Sequence, residues 1–164
     1  MTAAPSPRLL PKARKFYRIG DPDGQFPDWH PGGAVKDPGR WNLDGEAIIY
    51  ASESYALAML EKLAHWNGTL PSNQHYVEAE VPVGTSYEVF QPALHTGWDT
   101  EPSPVAKSFG SRWLREMRSA VLFVPSVLSP GDRNVLVNPS HPEVIRIEVG
   151  LETPVRWDGR LLNH

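Results

Sequence analysis

Hydrophobic and polar positions along this chain change period every few residues, which predicts many short elements. Phe16 to Ile19 reads as a short strand, followed by a Gly/Pro-rich loop from Gly20 to Asp37 that holds Trp29 and His30. Gly45 introduces a compact apolar strand from Ala47 to Ala51, and Ser52 is positioned to cap a helix over Glu53 to Trp66 that stops before Asn67-Gly68. At about 100° per residue, Tyr55, Ala56, Leu57, Met59, Leu60, Leu63 and Ala64 cover more than half of that helix, so a largely buried helix is expected. Glu61 falls at the edge of the apolar arc, beside Leu57 and Ala64, with Lys62 on the polar side.

Tyr76 to Val81 alternates with the period of a half-exposed strand, and Ser86 to Phe90 is a candidate to pair with it. Pro104 to Met117 reads as an amphipathic helix with Phe109, Trp113, Leu114 and Met117 on one side, interrupted by Gly110. Ala120 to Val124, Asn134 to Val137 and Glu143 to Val149 are rich in β-branched residues between Pro, Gly and Asn turns and read as strands. The expectation is an α+β fold: a compact single domain of short, mainly antiparallel strands with a few helices, without the regular alternation of a doubly wound sheet.

Length agrees with one domain, since 164 residues with 40% hydrophobic content can bury one core and leave little room for two. The 17 prolines and 13 glycines are scattered, so they punctuate elements and mark no linker. Residues 1–14, with Pro5, Pro7 and Pro11, read as a mobile arm, and 15–164 as the domain. A formal charge of -3 gives no broad basic field, which argues against direct nucleic-acid binding. No apolar run is long enough for a membrane span, and a cytoplasmic location is expected.

Candidate chemistry concentrates between Gly39 and Glu61. Gly39-Arg40-Trp41-Asn42, Tyr50 at the strand end and Glu61 on the helix set a cationic fork, an exposed ring and a partly buried acid in order. That set suits an anionic, ring-bearing substrate whose reaction develops positive charge, and NAD fits the description. Arg40 suits bidentate capture of pyrophosphate, against the plainer role of capping a loop carbonyl. Arg18 ends the first strand, where phosphate or ribose binding and a structural salt bridge are equal readings. Tyr50 is either an ordinary core tyrosine or a ring for nicotinamide, and Trp41 either shares that wall or plugs the core. Ser126 follows Val121-Leu122-Phe123-Val124-Pro125 without a Gly-x-Ser-x-Gly elbow, so it reads as a ligand or Glu61 partner and not as a nucleophile. Asn138 reads first as a turn former, with ligand contact as an extra.

No metal is expected, because His30, His65, His75, His95, His141 and His164 have no ligand spacing and cysteine is absent. A Gly-x-Gly-x-x-Gly turn is also missing, so NAD would bind as a bent substrate outside a Rossmann frame.

Arg40-Trp41, Tyr50 ten residues on, Glu61 eleven further and Ser126 after a hydrophobic run resemble the RES-domain family, over most of the chain from Phe16-Tyr17-Arg18-Ile19 to Trp157-Asp158-Gly159-Arg160-Leu161. The resemblance implies an ADP-ribosyltransferase-like fold and the toxin half of a bacterial toxin–antitoxin pair. It also implies cleavage of the nicotinamide–ribose bond of NAD and an Xre-type antitoxin that blocks the site. Glu61, Arg40, Tyr50 and Ser126 would be catalytic, and Arg18, Arg40, Trp41, Tyr50 and Asn138 would bind NAD. Water, phosphate or a protein could accept the ADP-ribose. The alternative is a non-catalytic carbohydrate- or peptide-binding module built on Trp29, Trp41 and Trp98.

Overall fold

The structure is a computed structural model that describes residues 6–66 and 69–162. Nine strands form one sheet: β1 (Arg8–Leu9), β2 (Arg14–Gly20), β3 (Ile49–Ser52), β4 (His75–Val81), β5 (Ser86–Val89), β6 (Val121–Pro125), β7 (Arg133–Val137), β8 (Glu148–Val149) and β9 (Thr153–Pro154). They lie in the order β1-β5-β6-β7-β3-β2-β4-β8, with β9 also on β4, and only β5 with β6 is parallel. Three α-helices, α1 (Gly32–Lys36), α2 (Tyr55–Ala64) and α3 (Pro104–Arg115), complete the α+β fold.

The period-2 pattern sorts β6 onto both faces of the sheet. Val121 and Phe123 join Phe16, Ile49, Ala51 and Val135 in one core, while Leu122 and Val124 join Trp41, Ile48, Trp113 and Leu136 in the other. Both faces of β6 are therefore covered, which is why its sequence is a continuous apolar run. Gly110, which weakens α3 as a helix prediction, is required by packing. A Cβ there would stand 1.9 Å from the Trp41 carbonyl oxygen.

Several expectations are corrected. Arg8–Leu9 pairs with β5 and Leu10 is buried, because Leu10 completes a core that the sheet edge would otherwise leave open, so the segment expected to be an arm is tied down from Arg8 onward. Ser54, not Ser52, caps α2, its Oγ accepting from Leu57 N, while Ser52 ends β3. The α2 stop expected at Asn67-Gly68 lies outside the described residues. The helix is also less buried than its wheel suggests: only Leu57 and Ala58 are fully buried, and Ala56, Leu60 and Ala64 are exposed, because α2 packs on the sheet by one face. β5 pairs with β1 and β6, not with β4, whose edges are taken by β2, β8 and β9. Pro142, capped by His141, starts a 3₁₀ turn over Pro142–Arg146, leaving only Glu148–Val149 of the expected strand. The Gly20 to Asp37 loop carries α1.

One discontinuity positions the site. β2 pairs with β4 over its whole length and β3 with β7 over four positions, but β2 and β3 meet only at Tyr17 and Ser52. Beyond that bridge the sheet opens into a gap.

Candidate active site at the sheet gap

Cross-strand pairing of Tyr50 with Leu136 and of Ser52 with Asn134 puts Tyr50, Ser52 and Asn134 on one face beside the gap. Glu61, on the inward side of α2, reaches this face. Its Oε1 accepts from Ser126 Oγ at 2.7 Å and from Asn134 Nδ2 at 2.6 Å. Asn134 is fixed in turn by Ser52 Oγ, which donates to its Oδ1 at 2.8 Å, and Ser126 Oγ accepts from Ser129 N. Both bonds to Glu61 fall on one oxygen, and Oε2 takes none among the described residues. The carboxylate is thus held in one orientation with an oxygen to spare.

Glu53 at the start of α2 braces the same region. Arg14 of β2 and Arg133 of β7 both donate to it, at 2.8 and 2.6 Å, and Arg133 lies over the Phe123 ring. The three strands that frame the gap are therefore clamped at one end.

Arg18 reaches into the gap and its Nη1 donates to the Tyr50 carbonyl at 2.7 Å, supplying the partner that a paired strand would have given. Its Nε is buried without a partner. Burial holds the Arg18 pKa below the usual value, opposed by Asp28 and Tyr50. Lys62 stands on the same side, its pKa lowered by burial and then by the positive charge of Arg18. Asp28 is raised by burial, and its Oδ2 also lacks a partner. These three groups line a cleft of about 230 Å³ together with Gly20, Phe26 and His30.

The Tyr50 hydroxyl donates to Asn42 Oδ1 at 2.7 Å and accepts from Trp41 N at 3.0 Å; burial drives its pKa well above the ordinary range. Arg18 and Arg40 are both near enough for their charge to act on it. The Arg40 guanidinium donates through Nη1 to the Trp98 and Thr100 carbonyls at 3.2 and 2.6 Å, and through Nη2 to the exposed Glu101 at 3.4 Å. The fork expected to meet phosphate is thus occupied by a loop.

Two expected residues stand apart. Trp41 is 3% exposed, stacked on Trp98 and edge-on to Phe90, so it is not an exposed ring; its bulk fills the core against α3. Asn138 lies beyond the opposite end of β7 from Asn134, with Nδ2 donating to the Leu114 carbonyl and Oδ1 accepting from Ser140 N. Asn134, Asp28 and Lys62 were not singled out from the sequence. Asn134 carried a signal, being a polar residue directly before the apolar run Val135-Leu136-Val137.

A larger hollow, about 390 Å³, lies between His95 and α3, lined by Val105, Phe109 and Arg112. It brings no carboxylate to its lining among the described residues, whereas Glu61 stands beside the gap. No group of three or more His, Asp or Glu side chains suited to a metal occurs among the described residues, which do not include His164. Among them, too, no helix is long and apolar enough to cross a membrane.

A family model described as the RES domain matches residues 15–158. A protein named Prs ADP-ribosylating toxin from Sphingobium sp. (strain YBL2) is 46% identical over 135 residues, 79% of this chain and 84% of that protein. A protein named Toxin Res from Pseudomonas putida KT2440 is 32% identical over 123 residues, 73% of this chain and 83% of its own. Among solved structures, a chain of the M. tuberculosis MbcT–MbcA toxin–antitoxin complex shares the fold with a TM-score of 0.68 at 14% identity, covering 90% of this chain and 86% of that one.

Proposed function

Since this chain belongs to the RES-domain family, we propose that it is the toxin of a toxin–antitoxin pair and that it cleaves the nicotinamide–ribose bond of NAD with Glu61 at the reacting centre. The observation that carries this reading is the half-buried Glu61 carboxylate, fixed through Oε1 by Ser126 and Asn134, with no hydrogen bond to Oε2 among the described residues. As the C1′–N1 bond breaks, its electron pair leaves with nicotinamide and neutralises the ring, while positive charge grows on the ribose. A carboxylate held in place stabilises that charge without reorganising, and Oε2 can accept from a ribose hydroxyl. The acceptor then supplies a lone pair to C1′ and gives up its proton to solvent water. Ser126 and Asn134 are positioning residues in this scheme, and the Tyr50 ring walls the nicotinamide side.

Arg40 enters by exchange. Its present partners are two neutral carbonyls and an exposed carboxylate, whereas a phosphate offers full opposite charge together with the bidentate geometry that suits a planar fork. We expect Arg40→Lys to raise the KM for NAD about tenfold, since a lysine cannot reproduce the planar fork. An unchanged KM would leave Arg40 as an anchor for the Trp98 to Glu101 loop only.

Burial of Trp41 and the packing of Trp29 and Trp98 against the two cores weigh against a binding module, because the tryptophans meant to form its platform are spent on the interior. The relative named as ADP-ribosylating favours a protein acceptor over water or phosphate. Purified protein would be given labelled NAD with and without phosphate and with cell extract. Label on a protein is the expected result. Label in free ADP-ribose or its 1″-phosphate would move the acceptor, and unconsumed NAD in every arm would overturn the reading. An Xre-type antitoxin that blocks the gap completes the proposal. Expression of the chain alone should arrest growth, co-expression of the partner should restore it, and harmless expression of folded chain with cellular NAD unchanged would count against it.

A further inference from the structure

The cleft beside Arg18 carries groups that bond cleavage at Glu61 does not use. Phe26 and His30 stack face to face, with ring centroids 5.0 Å apart and planes within 4°. Asp28 is 4% exposed with Oδ2 unpartnered, and it fits only because residue 20 is glycine, where a Cβ would lie 2.1 Å from Asp28 Oδ1. Arg18 keeps a buried, unpartnered Nε, and the Lys62 side chain lines the same cleft. Leaving a buried donor and a buried acceptor unmet is costly, so a ligand that supplies both partners gains more here than at an ordinary surface. Two cations with lowered pKa values on the same cleft call for an anion, the stack offers a π face, and Asp28 accepts from a hydroxyl. At about 230 Å³ the cleft falls below the roughly 300 Å³ at which whole-ligand pockets begin, which suits part of a dinucleotide.

Resting on the proposed NAD chemistry, we propose that this cleft takes the adenosine 5′-phosphate half of NAD, with adenine against Phe26 and His30, the phosphate between Lys62 and Arg18, and the ribose 2′-hydroxyl on Asp28, which thereby selects NAD over NADP. The physical basis of the selection is general. A carboxylate accepts a hydrogen bond from a free 2′-hydroxyl and repels a 2′-phosphate. No other carboxylate lining the cleft is as enclosed: Asp21 is exposed.

Titration of the full-length chain with AMP and with adenosine 2′,5′-bisphosphate tests the cleft without any turnover. The wild type should bind AMP with Kd near or below about 1 mM and the bisphosphate about tenfold more weakly. Lys62→Met keeps the half-buried stem and should weaken AMP about tenfold through the lost charged contact. Asp28→Asn should narrow the gap between the two probes severalfold. No AMP binding by the folded wild type, bisphosphate binding as tight as AMP, or AMP binding indifferent to Lys62→Met would each overturn the proposal. Should Asp28→Asn fail to fold, the wild-type preference between the probes still decides. NAD consumption by the wild type, measured beside it, is the separate arbiter of the proposed function. AMP bound as expected with NAD untouched would sink the chemistry and spare the cleft, whereas NAD consumed with no AMP bound would do the reverse.

Discussion

Glu61→Gln should leave a folded protein that cleaves NAD at least about a hundredfold more slowly, the scale of losing one preorganised electrostatic partner of the transition state, about 3 kcal/mol. The amide oxygen can still accept from Ser126 Oγ and Asn134 Nδ2, so the side chain keeps its place and the network of Ser52, Asn134 and Ser126 survives. What disappears is the negative charge facing the ribose. A melting temperature near wild type with NAD turnover lost is the expected pair of results. Near wild-type turnover would remove Glu61 from the reacting centre and leave it as a tie between α2 and β7.

The largest effect on stability is expected at Trp113. Its side chain is fully buried in the core shared by Trp41, Ile48, Leu122 and Leu136, and its Nε1 donates to Ser119 Oγ at 2.9 Å, which in turn donates to the Val121 carbonyl. Trp113→Ala opens a cavity under α3 and strips Ser119 of a donor. Truncations of this kind cost about 3–5 kcal/mol, a large part of the 5–15 kcal/mol typical of a domain. Urea unfolding should show a lower midpoint with an unchanged slope. A loss under about 1 kcal/mol would mean that α3 collapses onto the sheet and fills the space.

Legibility in the sequence followed the range of the forces involved. Local period marked α2, α3 and β4, whose apolar residues recur at the spacing of the element, while β6 and β7 were marked by β-branched apolar runs between turn residues. Pairing was not legible: nothing in Ser86 to Phe90 says that it will run parallel to β6 and beside Arg8–Leu9, since that depends on which sheet edges remain open. The α2 cap moved from Ser52 to Ser54 because β3 runs one residue past its apolar run, with Ser52 held by Asn134. At the site, the sequence order of Glu61 and Ser126 anticipated partners that the structure sets 2.7 Å apart. Asn134 and Asp28 escaped notice because an Asn at a strand start and an Asp in a Pro/Gly loop are commonplace until the fold encloses them. Of the two readings of Trp41, pocket wall or core plug, sequence could not choose, and its ring turns inward against Phe90 and Trp98 as a plug.

The single bridge between Tyr17 and Ser52 gives this protein a built-in reporter. Past it, the edge of Tyr50 that faces β2 has its carbonyl met by the Arg18 side chain and by no neighbouring strand, so the deuterium exchange of amides on that edge depends on what covers the gap. A ligand or partner seated over the gap would slow that exchange, while the fully paired amides between β2 and β4 would stay slow with or without it. Mass-spectrometric uptake across residues 48–52 would therefore register occupancy of the gap in unlabelled, unmodified protein, including occupancy by a partner that leaves no chemical product to measure.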